Sequence, residues 1–83
     1  MLPEGWFLSL KLVDYAGVLS NVLYYIASVG GNILSINQEM PIHNIAFVML
    51  TIDAMNISLP INKFIGEVEN LDKVVNVILT AVE

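Results

Sequence analysis

The chain has neither cysteine nor arginine, and in its 83 residues three lysines and one histidine stand against eight carboxylates, for a net charge of −5. Without cysteine there is no disulfide frame and no thiolate chemistry, a composition that fits a cytoplasmic setting. Phosphate backbones are gripped by clustered Lys and Arg, so nucleic acid is not expected as a partner. The longest unbroken apolar run, Ile45 to Leu50, is six residues, far short of the roughly 20 that cross a bilayer, and no membrane contact is expected. Met1 to Gly5 holds Pro3 and Glu4 and lacks the basic start of a secretory signal. A nucleophile paired with a base is also missing, His43 being the only histidine. No motif implies a cofactor or a metal.

What is abundant is apolar surface. Hydrophobic residues make up 57% of the chain, above the usual share for soluble domains. A single domain of this length should expose about 5,000 Å² when folded, too little interior to hide them all. An apolar surface covered by a second copy or another neighbour is therefore expected, and a homodimer or larger oligomer with it. The methionines read as core or interface filler.

Periodicity gives the elements. Trp6 to Val13 alternates as a strand, with Leu8, Leu10 and Leu12 on one face. Asp14 to Ala16 connects it to a helix over Val18 to Val29, apolar at Leu19, Val22, Leu23 and Ile26. Gly30-Gly31 stops that helix. Ile33 to Met40 returns as a strand with Leu34 and Ile36 inward, Pro41 to Asn44 turns, and Ile45 to Ala54 is a third strand. Pro60 opens a second helix as its first residue, with Ile61, Phe64, Ile65, Val68 and Leu71 on one face and Asn62, Lys63, Glu67 and Asn70 facing water. Lys73 to Val82 closes the chain as a strand with Val75, Val77, Leu79 and Ala81 together.

The order βαββαβ predicts an α+β, ferredoxin-like sandwich: a four-stranded antiparallel sheet with two helices on one face. The fold alone names no activity. An acylphosphatase needs an arginine for phosphate, a metal carrier of this shape needs a cysteine pair, and an RNA-binding version needs a basic sheet. The chain offers none of these. The sheet's other face mixes Phe7, Met49 and Ile78 with Ser9, Ser35 and Thr51, neither clearly wet nor clearly core.

The stretch from Asp14 to Asn32 organises the rest. A helix entered and left through glycine, bracketed by Asp14 and Asn32, should set backbone N–H groups, a carboxylate and an amide beside one another, a combination suited to a zwitterion. Asp14-Tyr15-Ala16-Gly17-Val18-Leu19, with Gly31-Asn32-Ile33 following, resembles the signature of the ACT domain, a small regulatory module of amino-acid metabolism. The run from Gly30 to Gln38 is most similar to free-standing ACT proteins of the PheB type, often labelled chorismate mutase. Their N-terminal extension has no counterpart in residues 1–83, so a single ACT-like domain, read as a fragment of a longer chain, is one expectation.

The resemblance implies an allosteric sensor whose domains pair through edge strands and bind a free amino acid at the junction. It puts Asp14 and Asn32 on ligand-contacting positions of serine-sensing members, and places the ligand among Leu12, Asp14, Ala16, Gly17, Val18, Leu19, Asn32 and Ile33. Physically, N–H groups at Gly17, Val18 and Leu19 would receive a carboxylate, Asp14 an ammonium, and Asn32 either. The chain departs from the pattern at Leu12, a histidine in serine sensors, at Asn37-Gln38-Glu39-Met40, which is Glu-Ser-Arg-Pro in phenylalanine sensors, and at Ala16, commonly proline. A lining of Leu12, Val18 and Leu34 would favour a branched or aromatic side chain.

Simpler readings stand beside these. Asp14 could cap the helix, Gly17 could serve a tight turn, and Asn32 could be a turn residue. An assembly module that binds nothing is the alternative function. Chorismate mutase chemistry is not expected, because Lys11, Lys63 and Lys73 fall on three different elements and no arginine joins them.

Overall fold

The computed structural model describes residues 4–83, so the chain start read for a leader, Met1 to Pro3, lies outside the described residues. The elements are β1 Gly5–Val13, α1 Val18–Ser28, β2 Asn32–Gln38, β3 Ile45–Asp53, α2 Ile61–Glu69 and β4 Val74–Val82. The strands form one antiparallel sheet in the order β2-β3-β1-β4, the ferredoxin-like arrangement that the element order predicts.

The centre is regular. β1 and β3 pair from Gly5 opposite Asp53 to Val13 opposite Ile45 without a slip. Alternation therefore sends Trp6, Leu8, Leu10 and Leu12 to the same side as Ala46, Val48, Leu50 and Ile52, none more than 4% exposed. Against them α1 packs Val18, Val22 and Ile26, residues four apart on one helical stripe, and α2 packs Phe64 and Val68. Leu19 and Leu23, expected on the buried stripe, lie at its half-buried margin.

Aromatic rings tie the two helices to the sheet. Trp6 meets Phe64 edge-on at 5.2 Å between ring centroids, and Tyr25 lies 6.0 Å from Phe64 on the other side. The Trp6 indole N–H donates to the Glu4 carboxylate at 2.8 Å. The Tyr25 hydroxyl donates to the Glu67 carboxylate, joining α1 to α2. Glu67 is thus not the purely wet residue that its helix position suggested. Of the adjacent tyrosines only Tyr25 turns inward, and Tyr24 is exposed.

The turns are tighter than the composition implied. His43 and Asn44 both take positive φ, 50° and 64°, while Ile42 and Ile45 exchange two backbone hydrogen bonds of 3.0 Å. That is a two-residue hairpin turn whose twist matches the strands. Pro60 precedes α2 as its cap, with φ −58° and ψ 145°, rather than serving as its first helical residue. α2 ends at Glu69, short of Leu71, and Lys73 at φ 65° reverses the chain into β4.

The edge strands depart from simple alternation. On β2 the register slips between Ile33, opposite Ile52, and Ser35, opposite Thr51. Ile33 and Ile36 therefore take the helix-facing register, and Leu34, expected inward, is 53% exposed at the bulge. On β4 two slips put Val74, Val77 and Leu79 opposite Leu12, Leu10 and Leu8, while Ala81 pairs with Phe7 on the other face and Val75 is exposed. A bulge adds one residue to one strand and so inverts every face assignment beyond it.

Candidate functional site

Hydrogen bonds hold the end of β1 to two neighbouring turns. The Val13 N–H donates to the Lys73 carbonyl at 2.9 Å and the Asp14 N–H to the Asn44 carbonyl at 2.7 Å. The chain then crosses Tyr15 and Ala16 to Gly17, whose φ of 89° is the left-handed conformation that glycine adopts without strain. Gly17 is the helix cap, and no side chain caps it, so Asp14 is not the capping residue. Its side chain is exposed and makes no hydrogen bond or ion pair among the described residues.

Of the three N–H groups expected to face a carboxylate, Val18 is engaged by its own chain, donating to the Tyr15 carbonyl at 3.2 Å. Among the described residues the N–H groups of Gly17 and Leu19 have no acceptor. A cation unforeseen in the sequence stands at this end: the Lys73 Nζ lies 5.2 Å from the Tyr15 ring centroid and 3.3 Å from Asp72. Lys73 and Tyr15 are 58 positions apart in a chain with no pattern linking them, and only the turn geometry brings them together.

The remaining expected residues divide by place. Asp14, Ala16 and Gly17 are exposed together at the helix entrance, with Leu19 half-buried beside them. Leu12 and Val18 are 1% and 5% exposed, part of the core beneath, and with Leu34 outside at its bulge the expected apolar lining is not formed within one chain. Asn32 and Ile33 are elsewhere. Asn32 lies opposite Asp53, which lies opposite Gly5, whereas Asp14 follows Val13 opposite Ile45. The two residues expected side by side sit at opposite ends of the sheet, about 30 Å apart along the strands at roughly 3.3 Å per residue. The reason is elementary: the helix between them spans the sheet's length and delivers the chain to its far end.

A cavity of about 230 Å³ lies on the helix-free face, bordered by Ser9, Lys11, Glu39, Phe47, Met49, Asn76 and Ile78.

Comparison with known proteins bears on what this arrangement is. No family model matches the chain. Over 79 residues, 95% of its length, it is 44% identical to a UPF0735 ACT domain-containing protein of Clostridium novyi. Proteins of the same description from Clostridium kluyveri and Clostridium tetani are 43% and 40% identical over 76 residues. The ACT domain of a GTP pyrophosphokinase from Chlorobium tepidum superposes with a TM-score of 0.69 at 14% identity, covering 93% of this chain and 97% of that one. The fold is that of an ACT domain. The chain spans about half the length of the curated relatives it matches, 52% of the Clostridium novyi protein. Those relatives are described by their ACT domain and not by an enzymatic activity. No helix among the described residues is long and apolar enough to cross a membrane.

Proposed function

We propose that this ACT domain is the sensing part of a longer regulatory protein and takes a free amino acid at a junction between two copies, Asp14 and the helix entrance coming from one and Asn32 from the other. The observation that supports this reading is the placement of Asp14 and Asn32 at opposite ends of one sheet, beside an open edge. β2 is hydrogen-bonded on one side only, and from Asn32 to Gln38 it carries no lysine or proline, its one irregularity being the bulge at Leu34. Pairing β2 with a second β2 antiparallel turns the partner sheet end over end. The partner's Asn32 then arrives at the end of the sheet where Asp14 lies. Pairing through β4 would leave the two residues apart.

The chemistry of such a notch is that of an α-amino acid. Gly17 and Leu19 N–H groups at a helix start receive the carboxylate, with Lys73 in support, and the Asp14 carboxylate receives the ammonium. The Asn32 amide serves either group. A ligand that touches both copies binds the dimer better than the monomer, so it shifts the assembly equilibrium and whatever is attached to it. The finer reading, a PheB-type regulator of amino-acid biosynthesis in the cytoplasm, rests on the Gly30 to Gln38 likeness. We read the domain as non-catalytic: Lys11 lies on the helix-free sheet face, Lys63 on α2 and Lys73 at the α2–β4 turn, too scattered to neutralise a dianion.

Thermal unfolding with the amino acids added one at a time tests the proposal. One of them, at a hundred times its dissociation constant, should stabilise the chain by about 2.7 kcal/mol, and Asp14→Ala and Asn32→Ala should each abolish the gain. A flat response to every amino acid at millimolar concentration would leave a module for assembly only.

A further inference from the structure

On the helix-free face the register lines side chains up in cross-strand rows. One row runs Glu39, Phe47, Lys11, Asn76, and the next Met49, Ser9, Ile78. Ser9 is the shortest side chain of the central pair, set between Met49 and Ile78, which are 53% and 50% exposed. A short side chain flanked by long ones leaves a dip, and the 230 Å³ cavity is that dip. Its floor includes the Leu10 and Val48 segments, whose own side chains point into the core.

The charges bordering it are of opposite sign. The Lys11 ammonium lies 5.9 Å from the Phe47 ring centroid, and Glu39 stands two strands away in the same row, with the ring between them. Among the described residues neither makes an ion pair. Lys11 is one of only three cations in the chain. A pocket with apolar walls and a few convergent polar groups is the usual form of a small-molecule site. The volume is several times the roughly 30 Å³ of a water and below the roughly 300 Å³ where drug-sized sites begin.

We propose that this groove is a second ligand site, taking a small zwitterion with an apolar body: carboxylate toward Lys11, ammonium toward Glu39, and the body in the dip over Ser9 against Met49 and Ile78. The branched-chain and aromatic amino acids are the simplest molecules of this class. The inference does not rest on the helix-entrance reading, since it uses the other face of the sheet and needs no second copy.

The test is a titration of the ¹⁵N-labelled full chain with leucine and with phenylalanine at millimolar concentration, followed by amide shifts. Shifts at Ser9, Lys11, Phe47 and Asn76 are expected. They should vanish in Ser9→Phe, which fills the dip, and need at least tenfold more ligand in Lys11→Gln, a milder change that guards against misfolding of the first. They should persist in Asp14→Ala. Leucinamide and 4-methylpentanoate, each lacking one charge, should bind at least tenfold more weakly than leucine. Absence of these shifts with both amino acids, their survival in Ser9→Phe, equal binding of 4-methylpentanoate, or occlusion of the face by a second copy in solution would each overturn the proposal. Loss of shifts at Gly17 to Ser20 in Asp14→Ala reports separately on the helix entrance.

Discussion

The two central strands and the two edge strands are built from similar residues and behave differently. β1 and β3 run nine residues side by side without a slip, while β2 slips once and β4 twice. Each central strand is hydrogen-bonded on both sides and buries one whole face, so a one-residue shift would turn four core side chains into solvent. An edge strand has a free side, and a bulge there costs little. Regularity at the centre holds the fold, while β2, at the edge, keeps one side of its backbone unpaired.

Four substitutions probe that contrast, in falling order of their effect on stability. Phe64→Ala removes the ring between Trp6 and Tyr25 at a fully buried site and should cost about 3–5 kcal/mol in chemical denaturation. A loss below about 1 kcal/mol would mean that the centre is less tightly packed than its burial indicates. Gly30→Ala strikes the corner that feeds β2. At φ 100° an added Cβ is strained and would run into the Asn56 carbonyl oxygen, so a loss of about 2 kcal/mol or more is expected, again by denaturation.

Tyr25→Phe tests the tie between the helices. Burial, then the hydrogen bond to Glu67 and its charge, push the Tyr25 hydroxyl up to about 12 from 10.0. Because the folded chain holds this proton more tightly, the associated stability is complete below pH 10 and is lost as the pH rises through 12. Tyr25→Phe should cost about 1 kcal/mol at neutral pH and flatten the decline in melting temperature over that alkaline range. An unchanged alkaline slope would place its origin in other groups. Ile36→Lys on β2 should alter monomer stability by no more than about 0.5 kcal/mol, since Ile36 is 46% exposed. By light scattering it should nevertheless convert dimer to monomer, and a persistent dimer would move the interface off this edge.

The same contrast sets how much the sequence revealed. In β1 the alternation of Leu8, Leu10 and Leu12 was enough to assign faces, β3 was legible as a strand from its β-branched and aromatic content, and α2 was plain from Phe64 and Val68. The likeness around Gly17 and Asn32 pointed to the fold that the comparisons support. Leu34, Val75 and Ala81 were placed on the wrong face because a bulge is a matter of pairing geometry and leaves no mark in a hydrophobic pattern. Lys73 beside Tyr15 and the dip over Ser9 were not legible for a related reason: both arise between elements far apart in the chain. Asp14 and Asn32 were expected together because they bracket one helix, and helix length was the overlooked quantity.

The central claim is that the ligand notch draws Asp14 from one copy and Asn32 from another, and complementation tests it most directly. Asp14→Ala and Asn32→Ala chains, each unable to bind the amino acid that stabilises the unmutated chain, are mixed in equal amounts, dissociated and allowed to re-pair, and bound ligand is counted by equilibrium dialysis. Random two-fold pairing makes half the dimers mixed, each with one notch intact, so about one quarter of the original capacity should return. A mixture as inert as its parents would contradict the shared site.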